Sequence, residues 1–96
     1  MNELVLTNAA KQDLSNILLF GIERFGKIQA RKYFDGIYRS FDKIVANPLQ
    51  FPEVIELGRG VRRCVYYSET IYFRYQENQI LIIAIVGRQE LRNRLF

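Results

Sequence analysis

The spacing of apolar residues changes once along this 96-residue chain, and that change constrains the fold more than any other feature. Up to Ile44 the apolar positions recur at helical steps, and from Val61 onward they alternate. Ala10, Leu14, Ile17, Leu18, Gly21 and Phe25 form one stripe of an amphipathic helix. Ala30, Phe34, Ile37, Phe41 and Ile44 form a second. Thr7 or Asn8 supplies a short side-chain oxygen to cap the first helix. Gly26 sits where a left-handed stop belongs. Asn47-Pro48 ends the second helix, because proline disfavours helical backbone in the residue before it. So short a connection requires an antiparallel helical hairpin, and both stripes are expected in the core.

The strands follow from the second pattern. Leu4-Val5-Leu6 opens the chain as a short strand, and Val61 to Tyr66 is the next. Thr70 to Gln76 puts Ile71, Phe73 and Tyr75 on one face and Tyr72 and Arg74 on the other. Glu77-Asn78 reads as a two-residue turn. Ile80 to Val86 is apolar at every position, the pattern of a strand covered on both faces or central in its sheet. Gly87 closes it, and Arg88 to Phe96 has room for two helical turns with Leu91 and Leu95 on one side. Glu90 and Arg94 attract at i,i+4, whereas Arg88 and Arg92 repel. The expected fold is a single α+β domain over residues 1–96, ordered β-α-α-β-β-β. Its helical hairpin packs on one face of a small antiparallel sheet, and a short helical tail follows. The first strand returns to that sheet, with Ile80–Val86 as its candidate neighbour.

Composition narrows the chemistry. There is no histidine and one cysteine, Cys64, so no intramolecular disulfide and no Cys/His zinc site can form. Histidine-based acid–base work and every Ser-His or Cys-His pair are excluded too. No metal or cofactor is expected. The longest apolar run has seven residues, against about 20 for a membrane span. Leu4-Val5-Leu6 is far too brief for a signal-peptide core. A lone cysteine suits a reducing compartment, so the expected location is the cytoplasm. The formal charge of +4 is uneven: residues 1–57 balance seven bases against seven acids. Residues 58–96 carry Arg59, Arg62, Arg63, Arg74, Arg88, Arg92 and Arg94 against Glu69, Glu77 and Glu90. Every cation there is arginine, whose planar fork suits carboxylates and phosphates.

Several segments, in order, resemble the ParE branch of the RelE/ParE superfamily of bacterial toxins. They are the helix TNAAKQDLSNILLFGIERFG with Ala10, Asp13-Leu14 and Ile17, and the helix QARKYFDGIYRSFDKIVANP ending in Asn-Pro. GVRRCVY, IYFRY and the closing IVGRQEL follow. The resemblance implies the toxin of a type II toxin–antitoxin pair, inhibiting DNA gyrase and neutralised by a ParD-like antitoxin. RelE-like relatives are instead ribosome-dependent mRNA endonucleases, which need groups to move protons at the scissile phosphate. This chain has no lysine after Lys43, no tyrosine after Tyr75 and no histidine. Where many ParE relatives have His before the Gly-Arg that follows the last strand, it has Val86-Gly87-Arg88. Arginine stays protonated and transfers protons poorly, and Tyr66, Tyr67 and Tyr72 are the remaining candidates. The expectation is a binder and not an enzyme. A generic basic nucleic-acid-binding domain is the third reading, without a phosphate loop or recognition helix to support it.

Two surfaces are expected to carry function. Arg62, Arg63, Arg74, Arg88, Arg92 and Leu95 form the candidate target-binding set, since arginine is favoured at interface hot spots. Strand alternation must separate Arg62 from Arg63, sending one to solvent and leaving the other for Glu53 or Glu56. Ile22, Tyr33 and Tyr38 lie off the core stripes and are the candidate antitoxin-binding residues. An acidic or amphipathic partner segment would lie there as a helix or a strand.

Overall fold

The computed structural model describes residues 2–87. Strand β1 (Glu3–Leu6) leads into helix α1 (Asn8–Phe25) and helix α2 (Lys27–Ala46). Two short 3-10 turns, Pro48–Gln50 and Ile55–Leu57, connect to β2 (Val61–Tyr66), β3 (Glu69–Gln76) and β4 (Gln79–Gly87). The anticipated tail helix, with Arg88, Arg92 and Leu95, lies outside the described residues.

Local chemistry accounts for the element boundaries. The Thr7 hydroxyl accepts from the Ala10 backbone N–H and caps α1. Gly26 separates the helices with φ +84° and ψ 166°. Its positive φ is the anticipated glycine conformation, but its extended ψ turns the chain straight into α2 instead of closing a left-handed cap. Glu77 and Asn78 both have positive φ (51° and 62°), the geometry of a tight two-residue hairpin turn.

The sheet order is β1-β4-β3-β2. The β2–β3 and β3–β4 pairs are antiparallel, whereas β1 runs parallel to β4, so the sheet is mixed. The parallel pair arises because the whole helical hairpin and two further strands intervene before β4 returns beside β1. Ile80–Val86 is thereby a central strand, covered by helices on one face only among the described residues.

One register shift falls in β4, where Tyr72 pairs with Ala84 and Phe73 with Ile82, leaving Ile83 as the extra residue. Helix α1 secures this bulge. The Thr7 hydroxyl donates to the Ile83 carbonyl at 2.7 Å, and the Asp13 carboxylate accepts from the Ile85 N–H at 2.9 Å. Those bonds satisfy β4 edge groups that β1, ending at Leu6, does not reach. Asp13→Ala should therefore cost about 1.5–3 kcal/mol, the range for a hydrogen bond to a charged group. A denaturant melt checks this, with Asp13→Asn retaining an acceptor as the control.

The core lies between the hairpin and one sheet face. Ala10, Leu14, Ile37, Phe41 and Ile44 meet Cys64, Ile71, Phe73, Ile80, Ile82 and Ile85. The buried positions of α1 stop at Leu14. Phe25, which its spacing places on the stripe, is 65% exposed because that end of the hairpin extends past the sheet. Leu19, Phe20 and Ile28 are exposed there as well.

Helix α2 lies on β2 through Gly36. A Cβ on that residue would collide with the Tyr66 ring and hydroxyl. Gly36→Ala is therefore expected to destabilise by about 1–3 kcal/mol, the range for overpacking. Each kcal/mol corresponds to about 4–8 °C in melting temperature for a domain of this size. In a Tyr66→Leu background, which removes the ring, the added penalty of Gly36→Ala should largely vanish in the same melts.

Candidate functional site

Two candidate surfaces emerge, and they adjoin at Val5 of β1. The first is the sheet face turned away from the helices. Alternation along β2 and β3 places Arg63, Val65, Thr70, Tyr72 and Arg74 outward, with Arg63 paired to Tyr72 and Arg74 to Val61. Arg63 is exposed. The Arg74 Nε donates to the Arg59 carbonyl at 3.3 Å, which anchors the guanidinium on the loop before β2. Along β4, Leu81, Ala84 and Val86 are half-buried and alternate with the core residues Ile80, Ile82 and Ile85. Val5 of β1 pairs with Leu81 and continues this apolar half.

Arg62 faces the other way. Its guanidinium reaches the Phe51 carbonyl at 2.6 Å and the Glu53 carboxylate at 3.0 Å, with the Arg62 side chain 16% exposed. It ties the 51–54 segment to β2, where Val54 N–H to Val61 carbonyl and Arg63 N–H to Pro52 carbonyl complete the attachment. The structure thus unites Arg63 and Arg74 on one face, adds Arg59 beside them and separates Arg62 from both. Arg88, Arg92 and Leu95 lie outside the described residues.

The second surface is a groove beside the hairpin seam. One section, about 560 Å³, is lined by Leu4, Val5 and Leu6 of β1, Lys11, Leu14, Ser15 and Leu18 of α1, and Phe34 and Tyr38 of α2. A second section, about 510 Å³, shares Leu18, Phe34 and Tyr38 and extends past Ile22, Lys27, Arg31 and Asp35. β1 is the terminal strand of the sheet. The Glu3 N–H donates to the Asn78 carbonyl in the turn before β4, and the Thr7 N–H to the Ile82 carbonyl of β4. By alternation the backbone of Leu4 and Leu6 faces the groove side, unpaired among the described residues. Lys11 and Lys27 border the groove without an ion pair among the described residues, whereas Arg31 is paired with Asp35.

Ile22 and Tyr38 both line this groove, but Tyr33 does not. Tyr33 packs in tilted ring contacts on Tyr66 (centroids 5.1 Å apart) and Tyr67 (6.3 Å) at the β2–β3 turn, with its hydroxyl 3.5 Å from Glu69. Burial, reinforced by the Glu69 charge, pushes its pKa up to about 12. The unfolded state releases this proton near the ordinary value, so folding stability is full below about pH 10 and declines from there toward 12. Tyr33→Phe should flatten the fall in stability over that alkaline window, measured by denaturant melts at stepped pH.

The tyrosines singled out for chemistry are dispersed. Tyr66 and Tyr67 form a T-shaped pair in the Tyr33 cluster, while Tyr72 stands on the arginine face. Cys64 is buried against Ser40, and that burial pushes its thiol pKa up, away from the reactive thiolate. Among the described residues, no helix is long and apolar enough to cross a membrane.

Comparisons with known proteins agree with this architecture. The family model for the ParE toxin of the type II toxin-antitoxin system, parDE, matches residues 4–92. No curated protein matches the sequence. Among solved structures, a chain titled as the chromosomal ParDE TA system from P. aeruginosa superposes with a TM-score of 0.78 at 22% identity. That match covers 91% of this chain and 96% of that one. A copper-bound mutant toxin from Helicobacter pylori gives a TM-score of 0.63 at 16% identity, covering 95% of this chain and 99% of that one. A conserved hypothetical protein from the same organism gives 0.57 at 14%, with the same coverage. These likenesses concern the fold; the family match spans most of the sequence. The chain belongs to the ParE toxin family of type II toxin–antitoxin systems.

Proposed function

We propose that this toxin acts by binding and inhibiting DNA gyrase through the outer sheet face, and that a ParD-like antitoxin neutralises it by occupying the groove beside the hairpin. The observation that carries the first half is the face itself. Arg63 and Arg74 share it, beside a half-buried apolar strip, and arginine is among the residues enriched at hot spots. The face offers permanent cations and no imidazole or amine to move a proton. Such a surface is suited to holding a partner, not to turning over a substrate.

The groove supports the second half. It offers apolar anchors at helical spacing (Leu18, Ile22, Phe34, Tyr38), and among the described residues its border cations Lys11 and Lys27 have no ion pair and the edge of β1 has no partner strand. An amphipathic helix carrying acidic residues fits the seam, and an extended continuation could pair with Leu4 and Leu6. The antitoxin encoded alongside is the partner of that chemistry.

A mechanism follows from binding alone. The arginine face docks on gyrase, supercoiling stops, and replication stalls on the arrested complex. No bond to the toxin forms or breaks. The test is supercoiling of relaxed plasmid by purified gyrase. The expected result is inhibition that the antitoxin reverses, and undiminished supercoiling with excess toxin would overturn the reading. Tyr72 is the one observation favouring a RelE-like endonuclease, since it places a phenol opposite Arg63. That reading requires ribosome-dependent mRNA cleavage which Tyr72→Phe abolishes.

A further inference from the structure

The outer sheet face is divided. Its β4–β1 half is apolar, with Val5, Leu81, Ala84 and Val86 half-buried. Its β2–β3 half is basic. Of the four arginines in the described part of residues 58–87, Arg62 is neutralised by Glu53 on the opposite face. Arg59, Arg63 and Arg74 make no ion pair among the described residues. The outward positions Val61, Arg63, Val65, Thr70, Tyr72, Arg74 and Gln76 include no acid. Glu69 lies toward Gly87 and the Tyr33 side, and Glu77 sits in the far turn.

Arg74 is also held in place. Its Nε is fixed on the Arg59 carbonyl, and its Nη2 lies 3.3 Å from where Gly58 would carry a Cβ, so the guanidinium rests against the loop backbone. Its terminal amino groups make no hydrogen bond among the described residues. Planar forks held this way match phosphate oxygens better than isolated lysine charges do. A diagonal pair on adjacent antiparallel strands, as Arg63 and Arg74 are, has Cβ atoms about 7–8 Å apart. Both can therefore engage one anionic backbone.

We infer that the β2–β3 half, through Arg59, Arg63 and Arg74, binds the phosphodiester backbone of duplex DNA. The biological source of that DNA, the segment gyrase holds, rests on the gyrase reading above; the binding itself does not. A face that is half apolar and half basic matches a partner presenting protein beside DNA. Single-stranded nucleic acid is disfavoured, because it is normally held on stacked aromatic rings. Here Tyr72, half-buried, is the one aromatic facing outward on these strands.

The experiment is fluorescence anisotropy of a labelled DNA duplex with the antitoxin-free protein across a salt series, with gyrase absent. Contact with three phosphates predicts a log–log slope of about −2.7, or about 40-fold weaker binding at 200 than at 50 mM salt. Arg63→Gln or Arg74→Gln should each reduce that loss to about 12-fold, and the double variant to about 4-fold. Arg39→Gln, an equal charge change at an exposed position of helix α2, should leave it near the wild-type value, with circular dichroism confirming the fold of each variant. Four results would overturn the inference. They are no binding at 50 mM salt, slopes unchanged by the Arg63 and Arg74 substitutions, equal competition by poly-glutamate, or displacement by single-stranded RNA at lower concentration than duplex. Because the assay contains no gyrase, such a failure leaves inhibition of supercoiling standing, and a failure to inhibit gyrase leaves the DNA result standing.

Discussion

Cells producing a Leu18→Glu/Tyr38→Glu variant should stop growing even when the antitoxin is co-expressed, although the wild-type toxin is neutralised under the same conditions. Both residues line both sections of the groove, and Tyr38 is 46% exposed. Glutamate there remains solvated in the free toxin, and the cost to folding is the loss of the Tyr38 ring contacts with Phe34 and Phe41. In the complex the same carboxylates would face an apolar helix surface and its acidic flank. Losing an aromatic anchor at an interface centre costs about 2–4 kcal/mol, equivalent to about 30- to 1,000-fold in affinity. Retained toxicity shows that the variant folds, which separates a lost partner from a lost structure. Neutralisation as complete as for wild type would remove the groove from the antitoxin site.

The second large effect concerns the core. Phe73 lies in the central region of the sheet, has no exposed surface, and packs edge-on against Phe51 with ring centroids 5.8 Å apart. Truncation to alanine removes a full ring from between α2 and the loop that Arg62 tethers. Phe→Ala changes in cores cost about 3–5 kcal/mol, against about 5–15 kcal/mol of total stability for a domain. Phe73→Ala is therefore expected to be largely unfolded or to melt tens of degrees lower, and to lose toxicity with its fold. Phe73→Leu should retain most of both. A thermal melt of Phe73→Ala close to wild type would contradict this packing.

Much of this arrangement is legible in the sequence because it depends on local periodicity. Alternation from Val61 and helical spacing up to Ile44 identify the elements, and Thr7, Gly26 and Asn47-Pro48 mark their ends through their own backbone chemistry. Alternation alone also puts Arg62 and Arg63 on opposite faces of their strand. Which of the two meets Glu53 depends on where the 51–54 segment crosses β2, a tertiary matter. The same is true of the bulge at Ile83. Asp13 stands in the recognisable family pattern, but its hydrogen bond to Ile85 spans 72 positions of sequence. Leu18 and Phe34 sit on core stripes by spacing, yet they line an open groove, since a stripe is covered only as far as its neighbours extend. Tyr33 and Tyr38 look equivalent off the stripe, but they face opposite sides of α2, one toward the β2–β3 turn and the other toward β1.

The proposed action is occupation of gyrase through an arginine-bearing face, not chemistry. The most direct measurement is a titration of gyrase supercoiling at several gyrase concentrations, all well above the dissociation constant. Binding predicts an end point that scales linearly with gyrase concentration, does not advance with incubation time, and reverses when antitoxin is added. Far fewer toxin molecules than gyrase, abolishing activity progressively with time and irreversibly, would contradict it.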